Sequence, residues 1–148
     1  MTVRSEDRKQ FLFDVFVTAL EGGIGYWSAA SKYHIWLDAE AGKEDIDGFF
    51  AVIEIQDDDT DPDEEPTEYR IDAAVIARGI GLFEKYALGK IDGLGNEIPE
   101  HAQNPVGEGH YWRQFLLANR TNGEDGDYDA DVADIIVQFG VFGEAVYG

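Results

Sequence analysis

The stretch EGGIGYWSAASKYHIW, residues 21–36, decides the fold class, because the period of the hydrophobic residues changes inside it. Before it, Leu12, Phe16, Ala19 and Leu20 recur at helical spacing, and Ser5 stands as a cap ahead of Glu6 and Asp7, two acids suited to a positive first turn. Gly22-Gly23 then ends the helix, and the reading assigns these glycines a positive backbone φ at the helix stop. From Tyr26 to Leu37 the pattern alternates, with Tyr33, Ile35 and Leu37 on one side and Lys32, His34 and Trp36 on the other, which predicts a strand.

Working outward, Phe49 to Ile55 is the best second strand, with Phe49, Ala51, Ile53 and Ile55 on a common face. The short, charged segment between the two strands makes a hairpin the economical connection. A strand resumes over 67–71. Asp72 then caps a helix to about Tyr86 with Val75, Ile76, Ile80 and Phe83 inward, and Gly79 and Gly81 weaken that helix unless one of them permits a close approach to the sheet. Tyr111–Arg120 reads as a helix, and Asp129 or Asp131 starts a last one bearing Val132, Ile135, Ile136 and Phe139. Between these elements lie an acidic loop, 57–66, and a long glycine- and proline-containing loop, 88–108. Strands and helices are segregated, which predicts an α+β fold: a single domain over 1–148 with a small antiparallel sheet packed against several helices. The apolar tail from Val141 to Tyr147 is open between packing on its own domain and packing across a dimer, so the oligomeric state stays open as well.

Composition narrows the function. There are 31 acidic residues against 11 basic ones, a formal charge of −20. Such a surface repels phosphate backbones and anionic lipid heads, so direct binding to nucleic acid or membrane is not expected. The chain has no cysteine, hence no disulfide framework, thiolate metal site or cysteine nucleophile. The first apolar run, Phe11–Leu20, carries Asp14 and is too short for a membrane span, which leads to the expectation of a soluble, cytoplasmic protein.

Catalytic and metal motifs are sparse. Asp57, Asp59, Asp61 and Glu68 fall at offsets 1, 3, 5 and 12 of a calcium loop, but Pro62 occupies the position where glycine makes the sharp turn. A solvated charge run is the preferred reading there, with calcium the minor alternative. His34, His101 and His110 have no zinc-pair spacing, and the three serines lie in no nucleophile elbow. No catalytic residue is assigned and no metal or cofactor is expected; an enzyme with an aspartate or glutamate base ranks last.

The stretch 21–27, the block IDAAVIARG (71–79) and above all DADVADIIVQFGVFGEAVYG (129–148) resemble small acidic proteins of actinobacterial tailed phages, a group with no established activity. The resemblance implies a small phage product made in an infected bacterium and carries over no functional residue. Two binding mechanisms follow from the residues. In the first, the carboxylates of Asp57, Asp58, Asp59, Asp61, Asp63, Glu64 and Glu65, with the acids over 124–134, form an acidic decoy for a basic groove on a host protein. In the second, Tyr26, Trp27, Tyr33, His34 and Trp36, helped by Arg78, Tyr111, Trp112 or Arg113, hold a nucleotide-like ligand by stacking and cation attraction. The decoy is placed ahead of the ligand trap.

Overall fold

Local chemistry starts the helices where it should. The Ser5 side chain accepts a hydrogen bond from the Arg8 amide at 3.1 Å and opens α1 (Glu6–Thr18), with Glu6 and Asp7 in its first turn. The computed structural model describes residues 4–55, 63–105 and 111–148, with the backbone alone at 111. Asp57, Asp58, Asp59 and Asp61, which carry most of the acidic-loop and calcium readings, lie outside the described residues, as does His110.

α1 does not end at a left-handed glycine. It widens into one π turn, Ala19–Gly23, closed by the Ile24 amide on the Ala19 carbonyl at 3.0 Å. Neither Gly22 nor Gly23 has a positive φ, which corrects the expectation. Gly23 is required for a different reason: a Cβ there would stand 2.8 Å from the carbonyl oxygen of Ala130, so its bare backbone lets the turn press against the start of the last helix.

β4 (Phe50–Ile55) is the centre of a three-stranded antiparallel sheet, flanked by β1 (Ser28–His34) and β5 (Glu68–Asp72). Phe49, Ala51 and Ile53 face the core as their alternation predicts. The strand expected through Leu37 is broken at Ile35, and β2 (Trp36–Asp38) pairs instead with β3 (Lys43–Glu44) in a separate small hairpin. The Asp38 carboxylate tightens that turn by accepting from the amides of Glu40 and Ala41, and Gly42 supplies a φ of 66°. A bulge between Ala30 and Lys32 also resets the side-chain alternation, so Ala30 and Tyr33 pair with the core residues Ile53 and Ala51. Directly paired residues share a face, so Tyr33 lies on the helix-facing side of the sheet, yet it is 63% exposed. The edge strand therefore overhangs the helical layer.

α2 (Ala73–Ala87) is capped by Asp72, whose carboxylate accepts from the Val75 amide at 3.1 Å, and it buries Ile76, Ile80 and Phe83. α3 (Tyr111–Thr121) contributes Phe115, Leu116 and Ala118 to the core. α4 (Ala130–Phe142) is capped by Asp129 and ends on Gly143 at a φ of 74°. Gly79 serves helix against helix, not helix against sheet. A Cβ at Gly79 would collide with the carbonyl oxygen of Ile136, and one at Gly140 with that of Val75, so each helix rests directly on the other's backbone. Arg78 reaches across the same crossing to donate to the Gly140 carbonyl. After α2, Gly89 turns the chain with a φ of 74°, and an isolated bridge between Ile91 and Glu97 orders part of the long loop. One hydrophobic cluster joins the helices to β4 and β5, an α+β fold around a single core. No helix among the described residues is long and apolar enough to cross a membrane.

Candidate functional site: a carboxylate and tyrosine cleft

Among the described α-helices α4 is the most apolar, yet two polar side chains one turn apart, Asp134 and Gln138, are buried on it. Burying a carboxylate without a cation is costly unless donors replace its water. Three do. The Tyr26 hydroxyl donates to one oxygen of Asp134 at 2.6 Å, and the Trp27 indole N–H and the Gln138 amide donate to the other at 2.8 and 2.9 Å. Tyr26 is 58% exposed as a residue, but its hydroxyl end points at the buried carboxylate. Desolvation there, followed by the hydrogen bond to Asp134 and the negative charge, pushes its pKa up to about 12. Tyr26 thus remains a donor across the physiological range.

Gln138 continues the network into the chain after α4. Its carbonyl oxygen accepts from the amides of Val146 and Tyr147, both at 2.7 Å, while its NH2 group also donates to the Tyr147 carbonyl at 3.2 Å. A side-chain amide here imitates the edge of a strand. The Ala145 amide donates to the Gly93 carbonyl at 2.7 Å, and the Tyr147 ring lies flat on Trp27, 5.0 Å between centroids and 8° between planes. The tail packs on its own domain and seals Trp27, which is 1% exposed.

Two hollows flank Tyr147. The larger, about 640 Å³, is lined by Tyr26, Tyr86, Asp131, Asp134, Ile135 and the tail. The smaller, about 250 Å³, is lined by Glu64, Glu65, Tyr69 and Phe142. Tyr147 belongs to both, and no lysine, arginine or histidine is among the described residues that line either one. Asp131, on the lining of the larger hollow, ends a run of exposed acids along the chain, Glu124, Asp125, Asp127, Asp129 and Asp131. The phenol of Tyr128 is raised by burial first and then by the charges of Asp14 and Asp127, against an opposing hydrogen bond with Thr18. Ion pairs among the described residues lie elsewhere, Lys9 with Glu6 and Asp47 and Arg70 with Asp72, and His34 is hydrogen-bonded to Asp45.

The residues expected to bind a planar ligand are not gathered into one pocket. Tyr26 lines the larger hollow and Trp27 lies beneath the tail, where a ligand cannot stack on it. Tyr33 and Trp36 are exposed on the edge strand and hairpin, 63% and 43% respectively. His34 is on the outer sheet face, stacked with Phe50 at 5.9 Å and bonded to Asp45 at 2.8 Å. The Arg78 guanidinium is engaged by the Gly140 carbonyl. Trp112 packs on Phe83 and Tyr86, and Arg113 lines a separate depression on α3 with Arg120. Of the acids assigned to partner binding, Asp63, Glu64 and Glu65 are described and exposed, and the last two line the smaller hollow. Glu68 of the calcium reading sits on β5 opposite Glu54, and among the described residues no group of three or more histidines and acids is placed to hold a metal ion.

Asp134 was read with the acids over 124–134 as part of the partner-facing array, but it is buried and spends its carboxylate on Tyr26, Trp27 and Gln138; the roles of Gln138, Tyr86 and Tyr147 were missed by sequence reasoning. The signal for Asp134 and Gln138 was present: polar residues at i and i+4 in the otherwise apolar face of ADIIVQFGVF. No family model, no curated protein and no solved structure matches the chain.

Proposed function

We propose that the protein is a non-catalytic phage accessory protein that acts stoichiometrically in the cytoplasm of an infected bacterium, as an acidic decoy occupying a basic, nucleic-acid-binding surface of a host protein. One observation carries this reading: the carboxylates from Glu124 to Asp131 are exposed, the last of them lines a hollow with no cation among its described residues, and no described ion pair neutralises them. An acidic array of this kind attracts cationic partners and speeds their encounter. The same lining disfavours a nucleotide in these hollows, since a phosphate there would face carboxylates without a compensating cation.

The test is capture of host proteins on the immobilised chain at low and high salt, with and without double-stranded DNA as competitor. A decoy releases its partner to salt and to DNA. The triple variant Glu124→Gln, Asp125→Asn, Asp131→Asn should bind about tenfold more weakly, whereas Glu40→Gln, Glu97→Gln, Glu100→Gln, which removes the same charge elsewhere, should bind nearly as well. A partner retained through salt and DNA, or equal loss in the two triple variants, would overturn the reading.

A further inference from the structure

We infer that the two hollows on either side of Tyr147 are anchoring subsites for cationic side chains, arginine or lysine, of a basic peptide segment that lies across the tail. The inference rests on the decoy reading for its partner and on its own geometry for its position.

A guanidinium or ammonium is best held where three conditions meet: a carboxylate for charge, aromatic faces for the cation, and a concavity that removes part of the water between them. Both hollows meet them. In the larger one, Asp131 is exposed on the first turn of α4 with neither an ion pair nor a side-chain hydrogen bond among the described residues, and its charge reaches the Tyr26 phenol. Asp134 adds a second negative charge, held in place by its three donors, and Tyr26, Tyr86 and Tyr147 supply rings. In the smaller one, Glu64 and Glu65 are exposed, and Tyr69, Phe142 and Tyr147 form the aromatic wall. That wall is itself firmly packed, since Phe142 contacts Tyr69 at 5.2 Å and Trp27 at 5.6 Å. Rings fixed by such contacts give up little freedom when a cation arrives.

The arrangement also specifies the form of the partner. Tyr147 is the common partition, so an occupant of both hollows crosses the tail, and an extended peptide with two separated cations does this where a single small cation cannot. Linking two weak sites raises the effective concentration at the second once the first is filled. An apolar peptide would leave the carboxylates desolvated without a counter-charge, and an anionic one would be repelled.

The experiment is an NMR titration of the full chain with two probes, N-acetyl-arginine methylamide and an acetylated Arg-Gly-Gly-Arg amide, and with a norleucine peptide as the uncharged control. Amide shifts should concentrate at Asp131, Ile135, Val146 and Tyr147 and at Glu65, Thr67 and Tyr69. The two-cation peptide should bind about tenfold or more tightly than the single arginine at the same ionic strength. Asp131→Asn and the pair Glu64→Gln, Glu65→Gln should each weaken it by about threefold to tenfold, and Glu97→Gln, Glu100→Gln should not. Tyr86→Leu, which keeps the charge and removes a ring, should weaken it as well. Shifts confined to Glu124–Asp127, shifts spread over all surface acids, equal binding of the norleucine peptide, or equal losses in the control variant would each overturn the inference. Failure of the two readings is distinguishable. Arginine binding in the hollows without a DNA-sensitive host partner removes the decoy and keeps the subsites, and a salt-sensitive partner with silent hollows does the reverse.

Discussion

The two ends of the stretch 21–36 meet opposite fates. At one end Tyr26 and Trp27 are tied to a carboxylate more than a hundred residues later, and Trp27 is covered by the ring of Tyr147. At the other end Tyr33 and Trp36 carry equally large rings and remain exposed, on an edge strand that overhangs the helices and a hairpin beyond it. The two ends are similarly aromatic, so composition does not separate them. What separates them is the presence or absence of a partner delivered from elsewhere in the chain.

The comparison breaks most decisively at Asp134. Asp134→Ala strips the acceptor from a buried indole N–H and a buried amide, and leaves a cavity beneath the tail. We expect a loss of about 3 kcal/mol in stability by chemical denaturation, together with a red shift of Trp27 emission as the tail loosens. An unchanged midpoint would mean that the network does not hold the tail.

Tyr26→Phe tests the polar contact while keeping the ring. It should cost about 1 kcal/mol, below the usual range for a hydrogen bond to a charged group because the residue is largely exposed. The pH dependence has a definite sign. The phenol's folded pKa, about 12, lies above the ordinary value of 10.0, so the folded state holds its proton more tightly. The contribution of Tyr26 is therefore complete below about pH 10 and is lost as pH rises from there through about 12. Melting temperatures of the parent chain and Tyr26→Phe should converge over that interval, and a constant gap between them would contradict the assignment.

The smallest effect belongs to the other end. Tyr33→Ser and Trp36→Ser, together, should change stability by no more than about 1 kcal/mol, since Tyr33 is largely exposed and Trp36 is only partly covered. A larger loss would show that this face is packed in solution and would erase the contrast.

Much of the fold was legible because it rests on local chemistry. The caps at Ser5, Asp72 and Asp129 each bond an amide three residues on, so residue type and spacing suffice to find them. The core alternation of Phe49, Ala51 and Ile53 was readable for the same reason. The break at Ile35 was not, because the bulge that resets the alternation ahead of it depends on how β1 pairs with β4. At Gly79 the close approach was foreseen but assigned to the sheet in place of α4, and at Gly23 the expected positive φ was wrong: both are bare so that a distant backbone can approach, and that neighbour is invisible until the chain is folded.

By itself the sequence determined the α+β class, the strongly negative surface and the starts of the helices, since each follows from residue type and short-range periodicity. Only the tertiary structure decided which aromatics would be sealed, which acids would stand beside a hollow, and that Asp134 and Gln138 would clamp the tail over Trp27. Those outcomes depend on contacts between segments far apart in the chain. A side chain's burial and its hydrogen-bond partner are properties of the packed pair and are not carried by either residue alone.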